Sequence, residues 1–295
     1  MSNALDSLTQ INLNDLVNAF GWQDQQLLAS LVRAAFRTTA RDFARQMLAF
    51  DAAIGAHGLA EAACLSEKLY VRDVRVFGAE FLPADGPCLF LANHPGMTDS
   101  LALFAALARP DLRVIALDRP FLLSLPNLSR QLYYLRDAPH ERVALVRRVH
   151  RHLRAGGSVL TFPAGHNEPD PDTYPGAVAS LQSWTDSVGV FVRLAPETAV
   201  VPVSVRGVSW EKTVRNPLAR LRRSMDDQQL LASAMQLLSN VALHIRPVTV
   251  RIQIGEPIYA SALRSTETAV IHQAVLRSMQ SLIERAPAGE GESAL

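Results

Sequence analysis

The sequence has very little cysteine, almost no lysine, no surplus of either charge and no long apolar run, and each shortage excludes something. Two cysteines, Cys64 and Cys88, cannot build a disulfide framework, and a reducing cytosol is the simplest setting for them. Twenty-nine basic residues against 28 acidic ones leave a net charge of +1, which gives no general attraction to nucleic acid. Lysine occurs only at Lys68 and Lys212, so any preference for anions rests on arginine, whose planar fork suits phosphate and carboxylate. No window approaches the ~20 apolar residues of a spanning helix, and the N-terminus lacks the cationic start and apolar stretch of a signal peptide. The chain is therefore expected not to be integral to a membrane, so that any action on lipid is peripheral, from the cytoplasmic surface. GxSxG, P-loop and GxGxxG patterns are also missing, which removes the usual hydrolase, nucleotide and dinucleotide readings.

What is present is a chain of 295 residues, 48% apolar, enough for one large core. Residues 1–68 read as an N-terminal helical segment. Leu13, Leu16, Val17 and Phe20 fall on one helical face after a potential N-cap at Asn12, and a longer helix is expected from about Gln25 to Ala53. On that helix Arg33, Arg37, Arg41 and Arg45 recur every fourth residue and form a ridge, either for docking on an anionic bilayer or as a solvated face of a packed helix. Residues 69–286 alternate apolar strands with helices, which predicts an α/β fold: a largely parallel central sheet with helices on both faces. Helices are expected at Ser100–Ala108, Glu141–Arg154, Pro175–Ser187 and near Asp226–Val241. The small acidic tail, residues 287–295, is expected to be disordered.

The chemistry concentrates at the end of one apolar run, Cys88 to Ala92, followed by Asn93, His94 and, five residues on, Asp99. An imidazole there can take a proton from an alcohol, and a carboxylate on its other ring nitrogen fixes the tautomer and raises its basicity. No nucleophilic side chain completes the set, so the nucleophile can be the substrate's own hydroxyl. Histidine and aspartate are also metal ligands, but no third ligand stands at recognisable spacing and no metal is expected. A second cluster, Phe162-Pro163-Ala164-Gly165-His166, follows another apolar run. Pro202, inside an apolar strand, removes a ladder donor and belongs at an edge, a bulge or a strand end.

Together these blocks resemble the glycerolipid acyltransferases, the lysophosphatidic acid acyltransferase-like superfamily. Asn93-His94 with Asp99 resembles its NHxxxxD signature, Phe162-Pro163-Ala164-Gly165 is similar to its FPEG block, and Val201-Pro202-Val203 closes a strand as in that family. The resemblance implies an O-acyltransferase with no bound cofactor, using acyl-CoA or acyl carrier protein as co-substrate and a lipid hydroxyl as acceptor. His94 would be the general base and Asp99 its orienting partner, with Asn93, Arg136, Phe162, Pro163, Gly165, His166 and Pro202 lining the substrates. A catalytically weak lipid-binding protein of the same fold and a thioester hydrolase are the alternatives. Ala164 and Asn167 depart from the block, which carries glutamate and arginine there. A phosphomonoester acceptor is thus expected to be handled poorly unless Arg136 supplies the missing fork.

Overall fold

The structure, a computed structural model, describes residues 2–295. Three helices open the chain: α1 (Ser2–Phe20), α2 (Gln26–His57) and α3 (Leu59–Glu67). Next come β1 (Asp73–Phe77), β2 (Cys88–Ala92), α4 (Met97–Leu107), β3 (Arg113–Leu117), α5 (Pro120–Leu123), α6 (Pro126–Ser129), β4 (Leu132–Leu135), α7 (Pro139–Arg154) and β5 (Ser158–Thr161). The remainder is α8 (Ser187–Leu194), β6 (Ala199–Arg206), α9 (Glu211–Val214), α10 (Pro217–Arg220), α11 (Met225–Leu243), β7 (Thr249–Ile254), α12 (Ala260–Leu263), α13 (Thr268–Glu284) and β8 (Glu292–Ser293).

The described residues form one eight-stranded sheet in the order β4-β3-β5-β2-β6-β7-β1-β8. Strands β4, β3, β5, β2 and β6 run parallel, and β7 turns antiparallel against β6. The expected α/β architecture is therefore present. Period-two alternation divides the core. From β2, Cys88, Phe90 and Ala92 join a cluster with Phe43, Phe50, Leu103 and Ile252, whereas Leu89 and Leu91 join one with Val149, Leu153, Phe191 and Val275. A strand buried on both faces is the reason that this run is continuously apolar. Truncating Phe90 or Leu91 to alanine would cost about 2–5 kcal/mol by transfer and cavity terms.

Local chemistry sets the helix ends. Helix α7 begins with Pro139 in its first turn and Glu141 beside it, and ends with Arg151, His152 and Arg154, so both ends complement the helix dipole. Its Leu145, Val149 and Leu153 recur every fourth residue and are buried. Helix α1 starts ten residues before the expected Asn12 cap. The Asn12 side chain instead donates to the Ala40 carbonyl of α2, while Leu8, upstream of it, is fully buried. The arginine ridge also serves this helix pair. Arg41 pairs with Asp6 and Arg33 donates to Asn14, both on α1, and Arg45 pairs with its neighbour Asp42.

Two further expectations need correction. Pro175–Ser187 is not an α-helix but an irregular stretch with a 3-10 turn at Ala179–Ser183, because its Ser180 and Trp184 side chains both bend toward Glu168. The tail is ordered in part: β8 pairs antiparallel with β1, the Ala294 amide donates to the Val74 carbonyl, and Ala294 and Leu295 pack on the core. An acidic, small-residue composition hides this, because backbone pairing on the open edge of β1 needs no particular side chain.

Pro202 sits mid-strand in β6, yet the sheet is not short of a donor. Its carbonyl accepts from Gly255 on the β7 side, so its nitrogen faces that same side. There Val203 pairs with Ile254 and Val200 with Ile258, leaving two residues opposite three, a bulge. The β2 ladder on the other side is untouched.

Glu67, at the end of α3, is fully buried, and neither carboxyl oxygen has a hydrogen-bond partner. Burial, with Asp99 adding repulsion, holds its pKa well above the carboxylate range, so the group is neutral in the fold. In the unfolded chain it ionises at about pH 4.3. Above that pH the folded chain keeps a proton that the unfolded chain has released, and stability falls as pH rises. Glu67→Gln should therefore stabilise the protein by about 1–3 kcal/mol near pH 8, the gain shrinking as pH approaches 4. Urea unfolding at several pH values measures it; a gain independent of pH contradicts a buried neutral acid.

Candidate active site

Strand β2 delivers His94 to the carboxyl edge of the parallel strands, where open α/β sheets place ligands. Asn93 comes first and is locked: its amide nitrogen donates to the Val205 carbonyl, and its amide oxygen accepts from the Val205 amide. Both polar ends are spent on β6, so Asn93 extends the β2–β6 pairing instead of facing substrate as expected.

Asp99 is the third residue of α4 and has no solvent exposure. One carboxylate oxygen accepts from His94 Nδ1 at 2.8 Å and from the Gly96 amide at 2.9 Å; the other accepts from Ser100 Oγ at 3.1 Å. A single side chain thus caps the helix and orients the imidazole. Since a carboxylate only accepts, Nδ1 carries the proton and Nε2 keeps its lone pair. The His94 side chain remains 28% exposed, so the site is covered but open. Burial lowers its basicity, but the charge and hydrogen bond of Asp99, with a smaller contribution from Glu168, outweigh burial and the opposing charge of Arg119. The net pKa lies above the ordinary imidazole value.

The second block meets the first directly. Phe162 stacks on the His94 ring, centroids 4.5 Å apart at 29°, and gives the base one apolar wall. The chain then turns. Gly165, at φ +72°, donates its amide to the Phe162 carbonyl, in a conformation that a residue with Cβ rarely adopts. Pro163 is buried and its carbonyl accepts from Thr185; His166 is exposed and its Nδ1 lies 2.8 Å from the Ala164 carbonyl. Pro202 is buried in the sheet beside Gly255, in register with Leu91, whose partner on the other side is Thr161.

Arg136, which could supply a fork or make a surface ion pair, makes the ion pair. Its guanidinium is held by Asp118 at 2.9 Å and Glu141 at 3.2 Å on the surface. Arg119, between β3 and α5, is the cation whose charge reaches His94. It is exposed and makes no side-chain hydrogen bond or ion pair among the described residues.

Sequence reasoning passed over Glu168, which is buried and connects both blocks. Its Oε2 accepts from the His94 amide at 3.0 Å, and its own amide donates to the His94 carbonyl at 2.8 Å. Oε1 accepts from Trp184 Nε1 at 2.7 Å and Ser180 Oγ at 3.0 Å. The His94 peptide is therefore gripped on both sides by one residue. Burial raises the Glu168 pKa, against these donors and the His94 charge. The available signal was its position six residues after Phe162, but an isolated glutamate in a loop does not announce four hydrogen bonds.

Among the described residues no group of three or more His, Cys, Asp or Glu side chains stands close enough to hold a metal ion. A cavity of about 400 Å³ lies at the other margin of the sheet, between β1 and the tail, lined by Phe77, Glu80, Gln253 and Glu292. It contains no base paired with a carboxylate, so the chemistry belongs with His94.

The chain is similar to several known proteins. A family model described as Acyltransferase matches residues 73–206. An uncharacterised protein of Mycobacterium leprae (strain TN) is 30% identical over 205 residues, covering 66% of this chain and 53% of its own length. An uncharacterised protein of Mycobacterium tuberculosis (strain H37Rv) is 29% identical over 205 residues, 66% of this chain and 54% of its own. The chain thus spans about half the length of the curated relatives it matches. Among solved structures, the 1-acyl-sn-glycerophosphate acyltransferase PlsC of Thermotoga maritima aligns with 16% identity and a TM-score of 0.45, covering 95% of this chain and 98% of that one. The matched segment begins with the first residue of β1 and ends with the last of β6, enclosing His94, Asp99, Phe162 and Glu168. Residues 73–206, the segment that carries the site, are similar to the acyltransferase family.

Proposed function

We propose that the protein transfers an acyl group from a thioester, acyl-CoA or acyl carrier protein, to a hydroxyl of a lipid acceptor. The observation that carries this reading is the hydrogen bond from His94 Nδ1 to the buried Asp99 carboxylate, which leaves Nε2 unprotonated beside a solvent opening. His94 takes the proton of the acceptor hydroxyl as its oxygen attacks the thioester carbonyl. Asp99 stabilises the imidazolium, the tetrahedral oxyanion collapses, and the thiolate leaves and is protonated. No acyl-enzyme forms, because the nucleophile belongs to the substrate. The amides of Ala164, His166 and Asn167 have no hydrogen-bond partner among the described residues, and this loop adjoins the Phe162 ring stacked on His94. They are the donors assigned to the oxyanion.

Acceptor recognition is assigned to Arg119 rather than Arg136, whose guanidinium already has two carboxylate partners. One unpaired guanidinium suits a singly charged phosphodiester or a hydroxyl lipid better than a dianionic phosphomonoester.

The test is purified protein with acyl-CoA and a panel of lipid acceptors, following free thiol and acylated lipid. Thiol release should require an acceptor; release without one identifies a hydrolase. His94→Ala and Asp99→Asn should each lower turnover by at least ~10², with less than additive losses in the pair. Folded His94→Ala protein that turns over at the native rate contradicts the mechanism.

The acidic limb of kcat/KM should fall above the ordinary histidine pKa of about 6.5, since the base form appears only as pH rises through the raised value. Glu168→Gln removes a negative neighbour and should move the limb to lower pH while reducing kcat by roughly tenfold through a displaced base. Arg119→Gln removes a positive neighbour and should move it to higher pH. With a phosphodiester acceptor Arg119→Gln should also raise KM by about 10-fold or more, with Arg136→Gln near wild type. Limbs that do not move in these directions contradict the electrostatic assignment.

A further inference from the structure

The segment between β6 and α11 carries features that the catalytic chemistry does not use. Leu218 is 58% exposed and Leu221 79% exposed, three residues apart on and just after α10. Arg220 and Arg223 flank them, exposed and without an ion pair among the described residues. Large apolar side chains held in water beside unpaired cations are costly unless something covers them.

The segment is not a loose loop. Asn216 caps α10 by accepting from the Leu218 amide at 2.9 Å, and Ser224 caps α11 by accepting from the Asp227 amide at 3.1 Å. Arg222 faces inward, bonding the Phe20 carbonyl at 3.4 Å and Asp227 at 3.3 Å. Its neighbours on either side, Leu221 and Arg223, are thereby held outward. The contact with Phe20 also sets this segment against the turn that leads into α2. Because β6 runs parallel to β2, the chain leaving β6 emerges at the same edge of the sheet as His94.

We propose that Leu218 and Leu221, with Arg220 and Arg223, form the surface that docks the protein on an anionic bilayer. The occupant follows from charge complementarity. Arg215 and Arg222 are paired with Glu211 and Asp227, which leaves Arg220 and Arg223 as the segment's unpaired charges among the described residues, so leucines enter the acyl boundary while these two arginines meet anionic headgroups. This differs from the ridge at Arg33, Arg37, Arg41 and Arg45, part of which is spent on α1. The inference rests on the acyl-transfer reading, which it deepens by letting the acceptor pass from the bilayer to the carboxyl edge where His94 lies.

The experiment is flotation with phosphatidylcholine vesicles, with and without phosphatidylglycerol, beside turnover of a water-soluble thioester with a soluble alcohol. Wild type should bind the anionic vesicles in a salt-sensitive way. Arg220→Gln with Arg223→Gln should weaken binding roughly fivefold per charge removed. Leu218→Ser with Leu221→Ser should weaken it roughly tenfold or more. Turnover of the soluble pair should not change in either variant. Wild type that floats with no vesicle, or variants that float like wild type, overturn the proposal. So does a leucine variant that sediments as a smaller oligomer while binding vesicles normally, which assigns the surface to a second copy of the chain. Variant-sensitive flotation by a protein without soluble turnover keeps the docking surface and rejects the transfer reading.

Discussion

The fold around the site depends on one buried negative charge. Asp99 is shut off from water, and every partner it needs is supplied: the Gly96 amide at the start of α4, Ser100 Oγ and His94 Nδ1. Two of those partners are also structural. The helix would lose its cap without the carboxylate, and the carboxylate would be an uncompensated buried charge without the helix. The third partner is where chemistry enters, since meeting the demand of Asp99 settles which nitrogen of His94 is free. Glu67, a carboxyl in the same interior without donors, goes the other way and holds its proton.

Glu168 treats the same histidine from behind. Asp99 fixes the ring and Glu168 fixes the peptide, so rotation about the side chain and drift of the strand end are both removed. The second block contributes through this residue and through Phe162, whose ring closes one side of the imidazole. Ala164, where the related block has an acid, is then less of a loss than the sequence implied. A buried glutamate four positions later organises the loop, and Trp184 and Ser180 are bent out of helical geometry to meet it.

Much of this was legible in the chain. A run buried on both faces, followed by His94 and Asp99 at a spacing that one strand end and one helical turn can close, carries its geometry locally, and the structure brings the two together. Pro202 was restricted to an edge, a bulge or a strand end by its missing donor, and a bulge is what it faces. The failures are non-local. Arg136 looked available because sequence does not reveal that Asp118 and Glu141 converge on it, and Asn93 looked free because its partner, Val205, is 112 residues away. The tail read as disordered on composition, although an unpaired strand edge recruits backbone whatever the side chains. Glu168 was invisible for the same reason: its four hydrogen bonds reach two distant segments, the His94 peptide on one side and Ser180 and Trp184 on the other.

The central claim is that Asp99 holds His94 as the Nδ1-protonated tautomer with a raised pKa, ready to accept a proton at Nε2. Nitrogen-15 NMR titration of the His94 ring in the folded protein tests it most directly. The account predicts the Nδ1-protonated form at high pH, a pKa above the ordinary histidine value, and a fall in that pKa in Asp99→Asn. An Nε2-protonated ring, or a pKa at or below the ordinary value, would contradict it.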